Sequence, residues 1–168
     1  MSSFRVRSFD RESEAELDLV AERMRLTLIE VLGEATGGEL YSHDWLRARV
    51  RWHLDPQTCV GEVFVAEGAA GQVLGHTIVR LEPTETDAPP EGLFATTYVT
   101  PDARRQGVAE ALLERGERWL LERGVTTLAT ATSETNQGLI RLFEGHGYAI
   151  TLRVPERSML RLTKAVEP

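Results

Sequence analysis

Cysteine is nearly missing from this sequence, Cys59 being the sole one, so an internal disulfide is excluded. His43, His53, His76 and His146 are scattered, with no zinc-like spacing, and no metal site is expected. No apolar run approaches the roughly 20 residues that cross a bilayer. The opening Met1-Ser2-Ser3-Phe4-Arg5 lacks the apolar core of a signal peptide, so the expected compartment is the cytoplasm. Positive charge is also short. A formal net charge of −7 disfavours nucleic acid, which is bound mainly through cations on phosphates, and suits a cationic partner such as an amine. Absent too are the GxxxxGKS/T and GxGxxG loops that grip nucleotides. With 168 residues, 42% of them hydrophobic, the chain reads as one domain over 1–168 with an ordinary core.

Periodicity sets the order of elements. Phe4 to Phe9 reads as a strand with Phe4 and Val6 on one face. Ser13-x-x-Glu16 is a capping box, each end meeting a free backbone N–H, and Leu17, Val20, Ala21, Met24 and Leu28 follow at helical spacing up to Gly33. A second helix runs from Ser42 to His53, with Trp45 and Val50 inward, and Asp55-Pro56 ends it. Val60–Glu67 and Val73–Arg80 read as a hairpin turning at Gly68–Gly71. Glu82–Gly92 reads as a loop and Leu93–Val99 as a fourth strand. A helix follows from Gly107 to Arg123, then a strand over Thr126–Ala131, a short helix over Asn136–Glu144, and a hairpin of Tyr148–Val154 and Met159–Thr163 around Pro155. The order β-α-α-β-β-β-α-β-α-β-β implies a mixed, mostly antiparallel sheet with helices on both faces. The strand–helix–strand crossover from Leu93 to Ala131 needs one parallel pair.

The segment Tyr98-Val99-Thr100-Pro101-Asp102-Ala103-Arg104-Arg105-Gln106-Gly107-Val108-Ala109 joins strand to helix through a basic turn. Free N–H groups at a helix start attract anions, and glycine lets the backbone approach closely. These residues read as a phosphate or pyrophosphate cradle or, equally, as a solvated basic turn. The pattern Arg104-x-x-Gly107-x-Ala109 resembles the acetyl-coenzyme A loop, Q/R-x-x-G-x-G/A, of the GNAT superfamily of N-acetyltransferases. Downstream, Asn136, Ile140, Leu142-Phe143 and Gly147-Tyr148 resemble that family's N-x-x-A-x-x-L-Y-x-x-x-G-F. The resemblance covers Leu93 to Tyr148 and implies a GNAT-like acyl-CoA N-acyltransferase fold. It also implies acetyl-CoA as cosubstrate and an amine of a small molecule or protein as acceptor, with transfer in a ternary complex. Acetyl-CoA and the amine are the expected partners, a homodimer is compatible, and neither nucleic acid nor membrane is expected. A non-catalytic acyl-CoA-binding module is the alternative.

Residue by residue, the resemblance implies that the backbone from Arg104 through Arg105, Gln106, Gly107 and Val108 to Ala109 holds pyrophosphate. Tyr98 and Val99 pair with the pantetheine arm as an added strand would, where the fourth and fifth strands splay. Asn136 touches the arm, and Phe143 stands where the family often keeps an acidic tyrosine. Phenylalanine cannot protonate the leaving thiolate, but a thiol pKa near about 8.5 lets the thiolate leave unaided. The fourth strand also lacks the carboxylate that many members use as base. Candidates are therefore Glu82 and His76 on the neighbouring run, where alternation puts them on one face with Arg80, then Glu91. Tyr98 is a further catalytic candidate through a nearby N–H that would polarise the thioester carbonyl.

Overall fold

The structure, a computed structural model, describes residues 3–85 and 87–167. Met1 and Ser2 of the N-terminal stretch, Thr86 in the expected loop, and Pro168 lie outside the described residues.

Seven strands build one sheet in the order β1-β2-β3-β4-β5-β7-β6. They are β1 (Phe4–Ser8), β2 (Gly61–Gly68), β3 (Val73–Glu82), β4 (Glu91–Val99), β5 (Thr127–Ser133), β6 (Ala149–Val154) and β7 (Met159–Ala165). Neighbours are antiparallel except β4 and β5. There α4 (Val108–Leu121) supplies the crossover that a parallel pair requires. Helices α1 (Glu14–Leu32), α2 (Glu34–Glu39) and α3 (His43–Leu54) stand between β1 and β2 in the chain, and α5 (Gln137–Gly145) between β5 and β6. The mixed sheet with helices on both faces is the architecture the pattern predicts.

Alternation divides the apolar residues of the sheet between two cores. Leu17, Val20 and Met24 of α1 and Leu46 and Val50 of α3 pack on Val63 and Ile78. On the other face Leu112, Leu113 and Leu120 of α4 and Ile140 and Phe143 of α5 pack on Phe64, Val79, Phe94, Leu128 and Leu162. Each such side chain, fully buried, contributes about 1.5–3 kcal/mol. The buried stripe of α3 is Leu46, Val50 and His53, at helical spacing. Trp45, expected inward, sits one position off that stripe; it is 44% exposed and stacks on Tyr41 at 4.1 Å.

Two local expectations are corrected. The capping box is half closed: the Ser13 side chain accepts from the Glu16 amide at 3.1 Å. The Glu16 carboxylate instead accepts from Arg7 and from the Asp10 amide, tying α1 to β1. The second correction is α2, an additional helical segment beyond Gly33. Its Gly37 lies against the backbone of α1, where a Cβ would come within 2.3 Å of the Leu28 carbonyl oxygen. Glycine is what allows that contact.

Candidate active site

Strand β4 shapes the site. In its ladder with β3, Phe94 faces Val79 and Thr96 faces Ile78, so Ala95 is an extra residue, a β-bulge. On its other side β4 pairs with β5 only at Gly92–Leu128, Leu93–Ala129 and Phe94–Thr130. The Thr130 hydroxyl ends that short ladder by donating to the Phe94 carbonyl oxygen at 3.1 Å. Beyond it the two strands run on to Val99 and Ser133 without pairing with each other. The backbone of Ala95 to Val99 thus presents an open edge, as the family resemblance implies, and a cleft of about 840 Å³ lies beside it.

The turn after β4 forms one wall. Pro101–Ala103 make a single 3-10 turn, and Arg105 (φ 64°) and Gly107 (φ 84°) then take left-handed backbone. Gly107 is the N-cap of α4 and offers no capping side chain. The amides of Arg105 to Ala109 find no acceptor among the described residues. A run of free N–H groups ending on a helix N-terminus is an anion cradle. The Arg104 side chain is already committed: its Nε donates to the Val99 carbonyl at 2.9 Å and its Nη2 pairs with Glu30 of α1 at 2.7 Å. Arg104 therefore braces the turn. Among the described residues, the cations lining the cleft without an ion-pair partner are exposed Arg105 and Arg141. Arg141 was not singled out by the motif, although it follows the Asn136 cap by little more than one helical turn.

Tyr98, Val99, Arg104, Arg105, Gly107, Ala109 and Asn136 all line this cleft. The Asn136 side chain caps α5 through the Leu139 amide and donates to the Thr132 hydroxyl. Gln106 and Val108 offer the cleft only their backbone amides, and one expected contact, Phe143, lies elsewhere. Gln106 turns back to donate to the Asp102 carbonyl at 3.1 Å. The Val108 side chain is core, 1% exposed. Phe143, expected at the cofactor, is wholly buried on the sheet-facing stripe of α5, edge-on to Phe94 at 5.3 Å and to Tyr148 at 4.8 Å. The Tyr148 phenol cannot substitute as an acid: burial, then the charge of Glu117, pushes its pKa far up, and it donates to Glu117.

The catalytic candidates are dispersed. Tyr98 is in the cleft wall, with the guanidinium groups of Arg23 and Arg104 at 6.0 and 5.6 Å from its ring centre. His76 is wholly buried behind β4, its Nε2 3.0 Å from the Thr96 hydroxyl. Burial, then the charge of Arg23, lowers its pKa to about 3, so it is neutral near pH 7. Glu82 shares the predicted face but not the place. It ends β3 six residues beyond His76, about 20 Å at ordinary strand rise. There it binds Arg80 at 2.9 Å and lines a separate groove of about 540 Å³ with Trp52 and Cys59. Glu91 is paired with Arg161 of β7. No group of three His, Cys, Asp or Glu side chains among the described residues is placed to hold a metal ion.

The model of the acetyltransferase (GNAT) family matches residues 25–148. The chain is 36% identical over 76 residues to an aminoglycoside N(6')-acetyltransferase type 1 of Klebsiella aerogenes, a match covering 44% of this chain and half the length of that curated relative. Its fold is shared with a GCN5-related N-acetyltransferase from Kribbella flavida (TM-score 0.75, 19% identity, 97% of this chain and 98% of that one). It is shared as well with yncA of Salmonella typhimurium, solved with its cofactor acetyl-CoA (TM-score 0.72, 17% identity, 99% of this chain and 96% of that one). The family model extends from the middle of α1 across the open edge of β4 to Tyr148, and the chain belongs to the GNAT acetyltransferase family.

Proposed function

We propose that this protein moves the acetyl group of acetyl-CoA to a primary amine of a small molecule or protein, directly, in a ternary complex. The observation that carries the reading is the parting of β4 from β5 after Phe94 and Thr130, beside a turn whose successive amides lack acceptors. A long ligand with a pyrophosphate at one end and hydrogen-bonding amides along its arm fits both features. The amides of Arg105 to Ala109 would hold the pyrophosphate, with Arg105 and Arg141 adding charge. The arm would add to the edge of β4 near Tyr98 and Val99.

The chemistry asks little of side chains. The amine lone pair attacks the thioester carbon, a C–N bond forms, and negative charge gathers on the carbonyl oxygen. A backbone N–H of the open β4 edge is the donor suited to meet that charge. The C–S bond then breaks, and the thiolate leaves and takes a proton from solvent. Neither Glu82 nor His76 opens on the cleft, so the amine proton leaves through water. The rate should therefore rise with pH until the amine itself is free.

The decisive experiment is thiol release from acetyl-CoA against a panel of amines and amino-terminal peptides, with product mass confirming an amide. The buried Phe143 and the absence of a carboxylate in β4 beyond Glu91, which is paired with Arg161, favour a second reading, an acyl-CoA-binding module without turnover. Calorimetric binding of acetyl-CoA with no thiol release on any amine would establish that alternative.

A further inference from the structure

Arg23 is a half-buried cation with no acid in ion-pair contact among the described residues. Its Nη1 is buried without a hydrogen-bond partner, and so is Nδ1 of His76, a wholly buried side chain. The guanidinium stands 6.0 Å from the ring centre of Tyr98, which lines the cleft. Asp102 acts on it only through its field. The nearby Arg104 shows the contrast: it meets the same ring, yet has Glu30 as a full partner. His76 is held at Nε2 by Thr96. When the Thr96 hydroxyl donates there, Nδ1 carries the proton, and both unpartnered groups are donors. Leaving donors without acceptors is costly, and a guanidinium recovers most from a planar anion that it can grip with two N–H groups.

We propose that Arg23 binds a carboxylate on the acceptor, so that the amine acetylated here belongs to an amino acid or a related amino-carboxylate. This rests on the acetyltransfer reading above. It identifies the acceptor as zwitterionic, where net charge alone suggests a simple cation. Arg23 is on α1 one turn before Thr27, which lines the same cleft as Tyr98, so the carboxylate would sit between α1 and β4 with the amine directed at the open edge.

The test pairs each L-amino acid with its amide, which keeps the side chain and the amine but removes the anion. The wild-type protein should favour the acid about 10²-fold in kcat/KM, the range of a charge-assisted bond lost. Arg23→Gln should erase that preference through KM, and Arg23→Lys should restore part of it. Acetyl-CoA affinity by calorimetry should stay within two-fold in both variants; a large loss would reassign the guanidinium to a phosphate of the cosubstrate and overturn the proposal. Equal use of acid and amide by a wild-type protein that does turn over overturns it as well and leaves the acetyltransfer reading standing. Should no amine release thiol, the transfer reading fails and binding decides the site. Dialysis of radiolabelled amino acids with acetyl-CoA present either shows retention abolished by Arg23→Gln, which upholds the carboxylate site, or shows none, which rejects it.

Discussion

Gly107 is where a single substitution separates the cradle from the fold. Its backbone is left-handed at φ 84°, and a Cβ built there meets nothing within 4 Å. Gly107→Glu therefore costs about 1–2 kcal/mol of backbone strain and no clash. A carboxylate at a helix N-terminus returns about 0.3–1 kcal/mol. Net destabilisation near 1 kcal/mol lowers the melting temperature by about 2–4 °C, so the variant stays folded. Binding is another matter. A carboxylate roughly 6 Å from a phosphate charge, at an effective dielectric of about 20, is repelled by about 3 kcal/mol, and salt halves this. Two phosphate charges bring the total to about 3 kcal/mol, or on the order of 10²-fold in Kd. Gly107→Ala shares the strain without the charge and should lose only a few-fold. Titration calorimetry with acetyl-CoA on all three proteins, with melting curves alongside, measures each term. Unchanged affinity in a folded Gly107→Glu protein would refute the cradle, whatever the activity.

Further outcomes follow from burial and distance. Phe143→Tyr should leave turnover unchanged, its hydroxyl falling in the core rather than in the cleft, while Phe143→Leu should lower stability by about 1–2 kcal/mol with turnover retained; turnover lost in a folded Leu variant means the ring has a role beyond packing. Glu82→Gln should change kcat/KM no more than a few-fold and leave the acidic limb of the pH–rate profile in place, whereas a true general base would cost about 10²-fold. Burial, opposed by a bond to the Arg49 carbonyl and aided by the charges of Arg80 and Arg49, lowers His53 to about 4. Burial and Arg23 lower His76 to about 3. Both folded values lie below the ordinary 6.5, so the unfolded chain takes up protons first. Stability held above pH 6.5 should then fall as pH drops toward 4, by up to about 1.4 kcal/mol per unit for each histidine. Denaturant midpoints at pH 7, 6 and 5 check this, and His76→Gln should show a shallower decline than wild type.

What the sequence carried well was local. Ser13 and Ser42 mark helix starts because their hydroxyls reach amides three residues on. The turn from Arg104 to Ala109 could be read because a cradle of backbone amides is made within one short segment. What it carried poorly depends on distance across the fold. Glu82 and His76 share a face by alternation, and nothing in that pattern says that only one of them lies near the cleft. Phe143 reads as a substituted acid until its ring is seen between Phe94 and Tyr148. Arg23 gave no signal, since being unpaired is a property of what surrounds a side chain. The α2 segment was hidden by Gly37 and Gly38, residues that weaken a helix in isolation; at Gly37 a helix can rest on the backbone of another.

Ala95 has a consequence for how such a receptacle is encoded. Phe94 and Val99 join the same core although five positions separate them, an odd count that plain alternation would send to opposite faces. The extra residue resets the phase of the strand. Removing it would keep every later side chain on its present face, because Thr96 already sits opposite Ile78 and Phe94 opposite Val79. It would straighten β4 and let the strand go on zipping to β5, which amide exchange would report as new protection from Thr96 to Val99. The capacity to receive a ligand thus depends here on strand length as much as on residue chemistry.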